Sequence, residues 1–175
     1  MRRFGRTVAL LAGAAGLAAG CARPPALVTF TSARQQFAIA YPKGWDVHRS
    51  SEDLRVWFLP AASAEPPAAA EFLLVFTELR PGPLSDDEAR YLGLNLLPIH
   101  GVSGFRRFKE EEGTVWHRFE VTGTSSGAEW ASVGLLVTGR RALRYVVCAK
   151  PLDRWREGQK QCDQILKTFR PGPLS

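Results

Sequence analysis

Leu143-Arg144-Tyr145-Val146-Val147-Cys148-Ala149 leads, across Lys150 and Pro151, into the segment Leu152–Phe169. The first seven residues are rich in β-formers and predict a strand. In the second segment Trp155, Cys162, Leu166 and Phe169 recur at steps of seven, four and three, which is one face of a helix. Working outward, Val115–Val121 and Trp130–Thr138 precede this unit as strands, and Phe105–Glu110 precedes them. Earlier still, Leu27–Thr31, Phe37–Tyr41, Leu54–Leu59 and Phe72–Leu79 are strand-like, with a turn at Pro42-Lys43-Gly44. Ser85-Asp86-Asp87-Glu88 is a capping box with acids suited to a helix N-terminus. Ala89, Leu92 and Leu96 then follow at helical spacing until Pro98. Strands, one helix, more strands and a closing helix predict an α+β fold: an α/β/α sandwich with a central antiparallel sheet flanked by helices.

The connections carry turn chemistry. Pro60–Ala70 is an Ala/Pro loop without periodicity, and Gly101-Val102-Ser103-Gly104 reads as a loop. Arg-Pro-Gly-Pro-Leu-Ser occurs at 80–85 and again at 170–175, each time as an exit from regular structure.

The amino terminus gives an address. Arg2, Arg3 and Arg6 form a basic start without acids, and Val8 to Ala19 is an apolar run too short for the roughly 20 residues that span a bilayer. Ala19-Gly20-Cys21 resembles the lipobox of bacterial lipoproteins. That resemblance implies cleavage before Cys21, lipidation of its thiol and acylation of the new amino terminus. An ordinary secretory signal cut nearby, leaving Cys21 free, is the alternative. The expected organisation is a lipoprotein signal peptide at 1–20, a tether at 21–27, a single domain at 28–170 and a tail at 171–175. Its Pro-rich stretch Ala22–Ala26 spans under about 2 nm at about 3.1 Å per residue, which holds the domain close to its membrane.

Charge and cysteines agree with this address. Removing residues 1–20 takes away three arginines and no acid, so the formal charge falls from +6 to +3. The clusters Arg106/Arg107/Lys109 and Arg140/Arg141/Arg144 read as solvated faces, with contact to anionic lipid near the anchor as a second possibility. No nucleic-acid partner is expected. Lipidation of Cys21 would account for the odd member of three cysteines, leaving Cys148 and Cys162 in a compartment where disulfides persist. Their spacing fits no zinc pattern, Cys162 lies on the inward helix face, and a disulfide is expected over two buried thiols. Closing a loop of about 15 residues contributes roughly 3 kcal/mol in the chain-entropy model.

Candidate chemistry is sparse. Gly123-Thr124-Ser125-Ser126-Gly127 matches the nucleophile-elbow pattern, but its flanks both read as strands and no histidine follows His117. A hairpin loop is therefore expected. His48, His100 and His117 are scattered. His117 alternates with Val115, Phe119 and Val121 and reads as a satisfied core or sheet-face residue, while His100, between Pro98 and Gly101, reads as a loop residue with a functional role as the alternative. Asp86, Asp87 and Glu88 are explained by the helix cap. Glu110-Glu111-Glu112 reads as a solvated turn, a weak cation site being the alternative. The five tryptophans read as packing. No metal or cofactor is expected.

Three stretches carry a family resemblance: Phe37–Trp45, Leu143–Ala149, and the helix ending Ile165-Leu166-Lys167-Thr168-Phe169. In that order they resemble the PsbP/Mog-type α/β/α sandwich, a family that includes PsbP-like proteins and the lipoprotein DcrB. The resemblance covers residues 28–170 and implies a non-enzymatic accessory or adaptor role in partner docking or complex assembly. The expectation is a lipid-anchored protein of the cell envelope, facing the periplasm or exterior, with a membrane contact through Cys21 and a protein partner. Its docking surface is expected on the exposed sheet face or around 60–70 and 98–104. A small-ligand or lipid carrier is the first alternative and requires an apolar cavity between sheet and helix. A small hydrolase using His100 is the second.

Overall fold

The computed structural model describes residues 25–50, 54–61, 63, 71–79, 84–95, 99–111, 113–125 and 127–172. In chain order the elements are β1 (Leu27–Ser32), β2 (Phe37–Pro42), β3 (Trp45–Arg49), β4 (Arg55–Pro60), β5 (Phe72–Leu79), α1 (Asp86–Asn95), β6 (Ile99–Glu111), β7 (Thr114–Ser125), β8 (Ala128–Thr138) and β9 (Ala142–Pro151). A 3-10 turn at Leu152–Arg154 then enters α2 (Trp155–Lys167), and β10 (Arg170–Pro171) follows. The main sheet has seven strands in the order β3-β4-β5-β9-β8-β7-β6; β1, β2 and β10 form a separate sheet of three. Every pairing is antiparallel.

The Leu143–Ala149 run lies at the centre, between β5 and β8, and all of it is buried. A strand covered on both faces needs apolar residues on both, which is why this run does not alternate. Val146 and Cys148 face Cys162, Ile165, Leu166 and Phe169 of the α2 segment, together with Phe30, Phe37 and Ile39 of the small sheet. Tyr145, Val147 and Ala149 face the opposite way, with Phe72, Leu74, Phe119 and Trp130, towards Leu84 and Ala89 at the start of α1.

The expected helix-flanked sandwich is therefore corrected. One face carries α2 beside a three-stranded sheet, and the only helix on the other face among the described residues is α1, ten residues long. Among the described residues the architecture is sheet-rich and antiparallel, with two α-helices. The physical reason is that β2 pairs with β1 on one side and β10 on the other, so these strands form a lid and do not extend the main sheet.

Other expectations shift as well. Residues 101–104 are strand: β6 reaches back to Ile99 through three register irregularities against β7. His100 consequently lies on a strand and not in a loop, its side chain being outside the described residues. The second Arg-Pro-Gly-Pro begins as β10 and so is not merely an exit. Arg140 and Arg141 are exposed, but Arg144 is buried. Its Nε and Nη2 donate to the Gln35 carbonyl at 3.2 and 2.9 Å, tying the β1–β2 turn to β9. Burial without a carboxylate lowers its pKa to about 10, so it stays charged at neutral pH. The expected disulfide is present: Cys148 of β9 and Cys162 of α2 are bonded, both fully buried, with Cα atoms 5.4 Å apart. Cys21 lies outside the described residues.

Candidate functional site

The elbow-like motif Gly123–Gly127 lies in the β7–β8 hairpin. Ser125 ends β7 and pairs with Ala128 of β8, and Gly127 takes the turn at φ +81°. A strand–turn–strand hairpin lacks the helix N-terminus on which a nucleophile elbow depends.

His117 is fully buried, stacked on Phe105 with ring centres 5.1 Å apart. Its Nε2 lies 2.8 Å from Oδ1 of Asp86, in the first turn of α1. An ionised carboxylate only accepts, so Nε2 carries the proton and donates. The bond pins α1 to β7 and accounts for the histidine, although Nδ1 is buried without a hydrogen-bond partner. Ser85 caps the helix as its sequence indicates, exchanging hydrogen bonds with Glu88.

The pair has a pH consequence. The His117 hydrogen bond holds the Asp86 carboxyl below its ordinary value, aided by Arg107. A depressed acid contributes stability above its unfolded pKa and loses it as pH falls through the folded value. Asp86→Asn is therefore expected to lower the thermal midpoint at neutral pH, with the difference from wild type closing as pH falls from about 4 towards 2. A gap of constant size across that titration would show that the contact does not depend on the carboxylate's charge.

The acidic run is also engaged. Glu110 pairs with Arg107 and Glu111 with Lys109; Glu112 is outside the described residues. Among the described residues no group of His, Cys, Asp and Glu side chains is arranged to hold a metal ion. Of the expected docking loops, 64–70 lies outside the described residues and 99–104 is strand.

Two recesses flank α2. At its N-terminal end, Glu71, Lys150, Arg154, Glu157 and Gly158 line a polar cleft of about 440 Å³ beside Pro25. At its C-terminal end lies an apolar trough of about 310 Å³. Leu135, Leu166 and Phe169 form its floor, Phe108 and Trp116 a wall, and Lys109, Arg118, Asp163, Lys167 and Arg170 its rim. The local reason is register: Trp116 and Arg118 alternate towards the α2 face of β7, and Lys109 sits opposite Trp116 beside an irregularity in β6. Trp116 packs edge-on against Phe169 at 6.2 Å, and Phe108 edge-on against Trp116 at 6.4 Å. In the sequence Trp116 reads as packing, and no motif marks Phe108 as part of a site. The available signal was one aromatic within the charged run Arg106–Glu112.

This sheet-rich α+β arrangement is a PsbP-like fold. The solution structure of cyanobacterial PsbP from Synechocystis sp. PCC 6803 superposes with a TM-score of 0.64 at 16% identity, covering 91% of this chain and 99% of that one. LpqN of Mycobacterium tuberculosis, described as involved in cell envelope biogenesis, gives 0.53 at 12% identity, with 85% and 91% covered. A Bacteroides thetaiotaomicron protein gives 0.51 at 12% identity over 83% of this chain and 48% of that one. The sequence itself matches no protein-family model and no curated protein.

Proposed function

We propose that the chain is a non-enzymatic accessory protein of the cell envelope, lipid-anchored through Cys21, that acts by docking a protein partner. The observation that carries this reading is the PsbP-like fold, since the superposition on cyanobacterial PsbP covers 91% of this chain. The LpqN description, cell envelope biogenesis, supports the same compartment. So does the Ala19-Gly20-Cys21 resemblance to a lipobox. A lipid anchor with a short tether confines the domain near membrane partners and raises effective concentration without high intrinsic affinity. The test is chemical cross-linking in native-host membranes followed by capture, with Cys21→Ser alongside. A discrete cross-linked protein that disappears with Cys21→Ser is expected. Identical cross-links from the Cys21→Ser protein, or none from either, would overturn the tethered-adaptor reading.

A second reading is favoured by the trough. An apolar recess of about 310 Å³ between helix and sheet is what a small-ligand carrier requires, and it falls at the lower end of the about 300–1,000 Å³ of small-molecule sites.

A further inference from the structure

The trough beside α2 is uneven in charge as well as apolar. Its floor residues Leu135, Leu166 and Phe169 are only 6%, 5% and 2% exposed, whereas Phe108 on the wall is 50% exposed. The carboxylates around it are already engaged. Asp163 accepts from Arg118 at 2.7 Å, and Glu111 is paired with Lys109, whose ammonium lies 5.4 Å above the Trp116 ring. Two cations remain at the end where α2 finishes. Among the described residues Arg170 donates through Nη1 to the main-chain carbonyls of Lys167 and Phe169, at the partially negative end of the helix, and pairs with no carboxylate. Lys167 has no carboxylate partner among the described residues. An apolar slot with surplus positive charge at one end matches a molecule that is apolar along its length and anionic at its head. The concavity decides between sources: a flat bilayer surface reaches Phe108 but not the buried floor, whereas a single chain can lie against Trp116, Leu166 and Phe169.

We propose that this trough binds one free single-chain amphiphile with an anionic head, its acyl chain on the aromatic wall and its carboxylate at Lys167 and Arg170. The proposal rests on the carrier reading of the trough, not on the adaptor reading. Calorimetry and amide–indole NMR would use the full-length chain carrying Cys21→Ser, purified without detergent. The probes are dodecanoate and dodecyl maltoside, each below its micellar concentration, and phosphatidylglycerol vesicles. Saturable one-to-one binding of dodecanoate is expected, with shifts at the Trp116 indole. Lys167→Glu should weaken it about tenfold and leave dodecyl maltoside unchanged. Phe108→Ser, at a half-exposed position, should weaken both probes without moving the thermal midpoint. Equal binding of the two probes, insensitive to Lys167→Glu, would overturn the anionic head and leave the carrier reading standing. No saturable binding of either would overturn both. Binding to vesicles alone would replace the free amphiphile with a membrane surface.

Discussion

Glu71→Gln is expected to lower the unfolding free energy by about 3 kcal/mol, because it strands a charge inside the fold. The Lys150 side chain is only 8% exposed; its ammonium lies 2.5 Å from Glu71 Oε1 and 5.0 Å from the centre of the Trp45 ring. Its stem passes beneath α2 at Gly158, where an added Cβ would come within 2.6 Å of Lys150 Cγ. Gly158 roofs the stem, so Lys150 meets water only through the cleft that it lines with Glu71, and its charge would be left without a carboxylate there. Arg154 reaches the other carboxylate oxygen at 3.5 Å but is largely exposed, and it gives Lys150 no compensation. Removing one partner of a fully buried pair costs about 3–5 kcal/mol; the 22% exposure of Glu71 puts this pair at the lower end. Urea denaturation should show a lower midpoint with an unchanged slope. Lys150→Met combined with Glu71→Leu should come back to within about 1 kcal/mol of the native chain, since an apolar replacement of the whole pair leaves no charge behind. If the single substitution were neutral, Lys150 would be solvated at this site and the account of Gly158 as its roof would fail.

The same site shows what a sequence can and cannot convey. Phe72–Leu79 reads as a strand because Phe72–Phe76 is an unbroken apolar run flanked by Glu71 and followed by Thr77, Glu78 and Leu79, and the Ser85 cap reads because its chemistry lies within the four residues 85–88. The closing helix reads because Cys162, Leu166 and Phe169 share a face whose burial the fold requires. Interactions across long separations leave no such trace. Arg144 looks like a member of a solvated cluster until Gln35, 109 residues away, supplies the carbonyl that accepts from it. Lys150 and Glu71 are 79 residues apart. Trp45–Arg49 is a short edge strand in which Trp45 and Val47 alternate with the exposed Asp46 and His48, an alternation too brief to stand out from the turn before it. Gly101 and Gly104 suggest a loop because glycine weakens strands; here they lie in the irregular first half of β6. The trough needed four elements at once, β6, β7, β8 and α2 with its exit, and no local pattern joins Phe108 to Trp116 and Phe169.

The trough's wall depends on the seating of β7 from the far side of the sheet, and Gly134 tests that seating. Phe119 of β7 stands opposite Gly134 of β8 in register. Its ring lies across the glycine, so that a Cβ there would fall 2.0 Å from Phe119 Cζ. A glycine inside a central strand weakens it unless something fills the space, and here the aromatic ring does so. The ring is 1% exposed and stacks on Tyr145 with centres 4.9 Å apart at 14°, leaving it nowhere to retreat. Gly134→Ala is therefore expected to cost about 3 kcal/mol, between the about 1–3 of ordinary overpacking and the about 3–5 of deleting a buried phenylalanine. In a Phe119→Ala background the same substitution should cost nothing or stabilise, giving a coupling of at least about 2 kcal/mol in a double-mutant cycle. Additive effects would mean that the ring does not hold β7 through Gly134. With coupling confirmed, Gly134→Ala should also blunt dodecanoate binding from the opposite face, because Trp116 and Arg118 ride on the strand that Phe119 anchors.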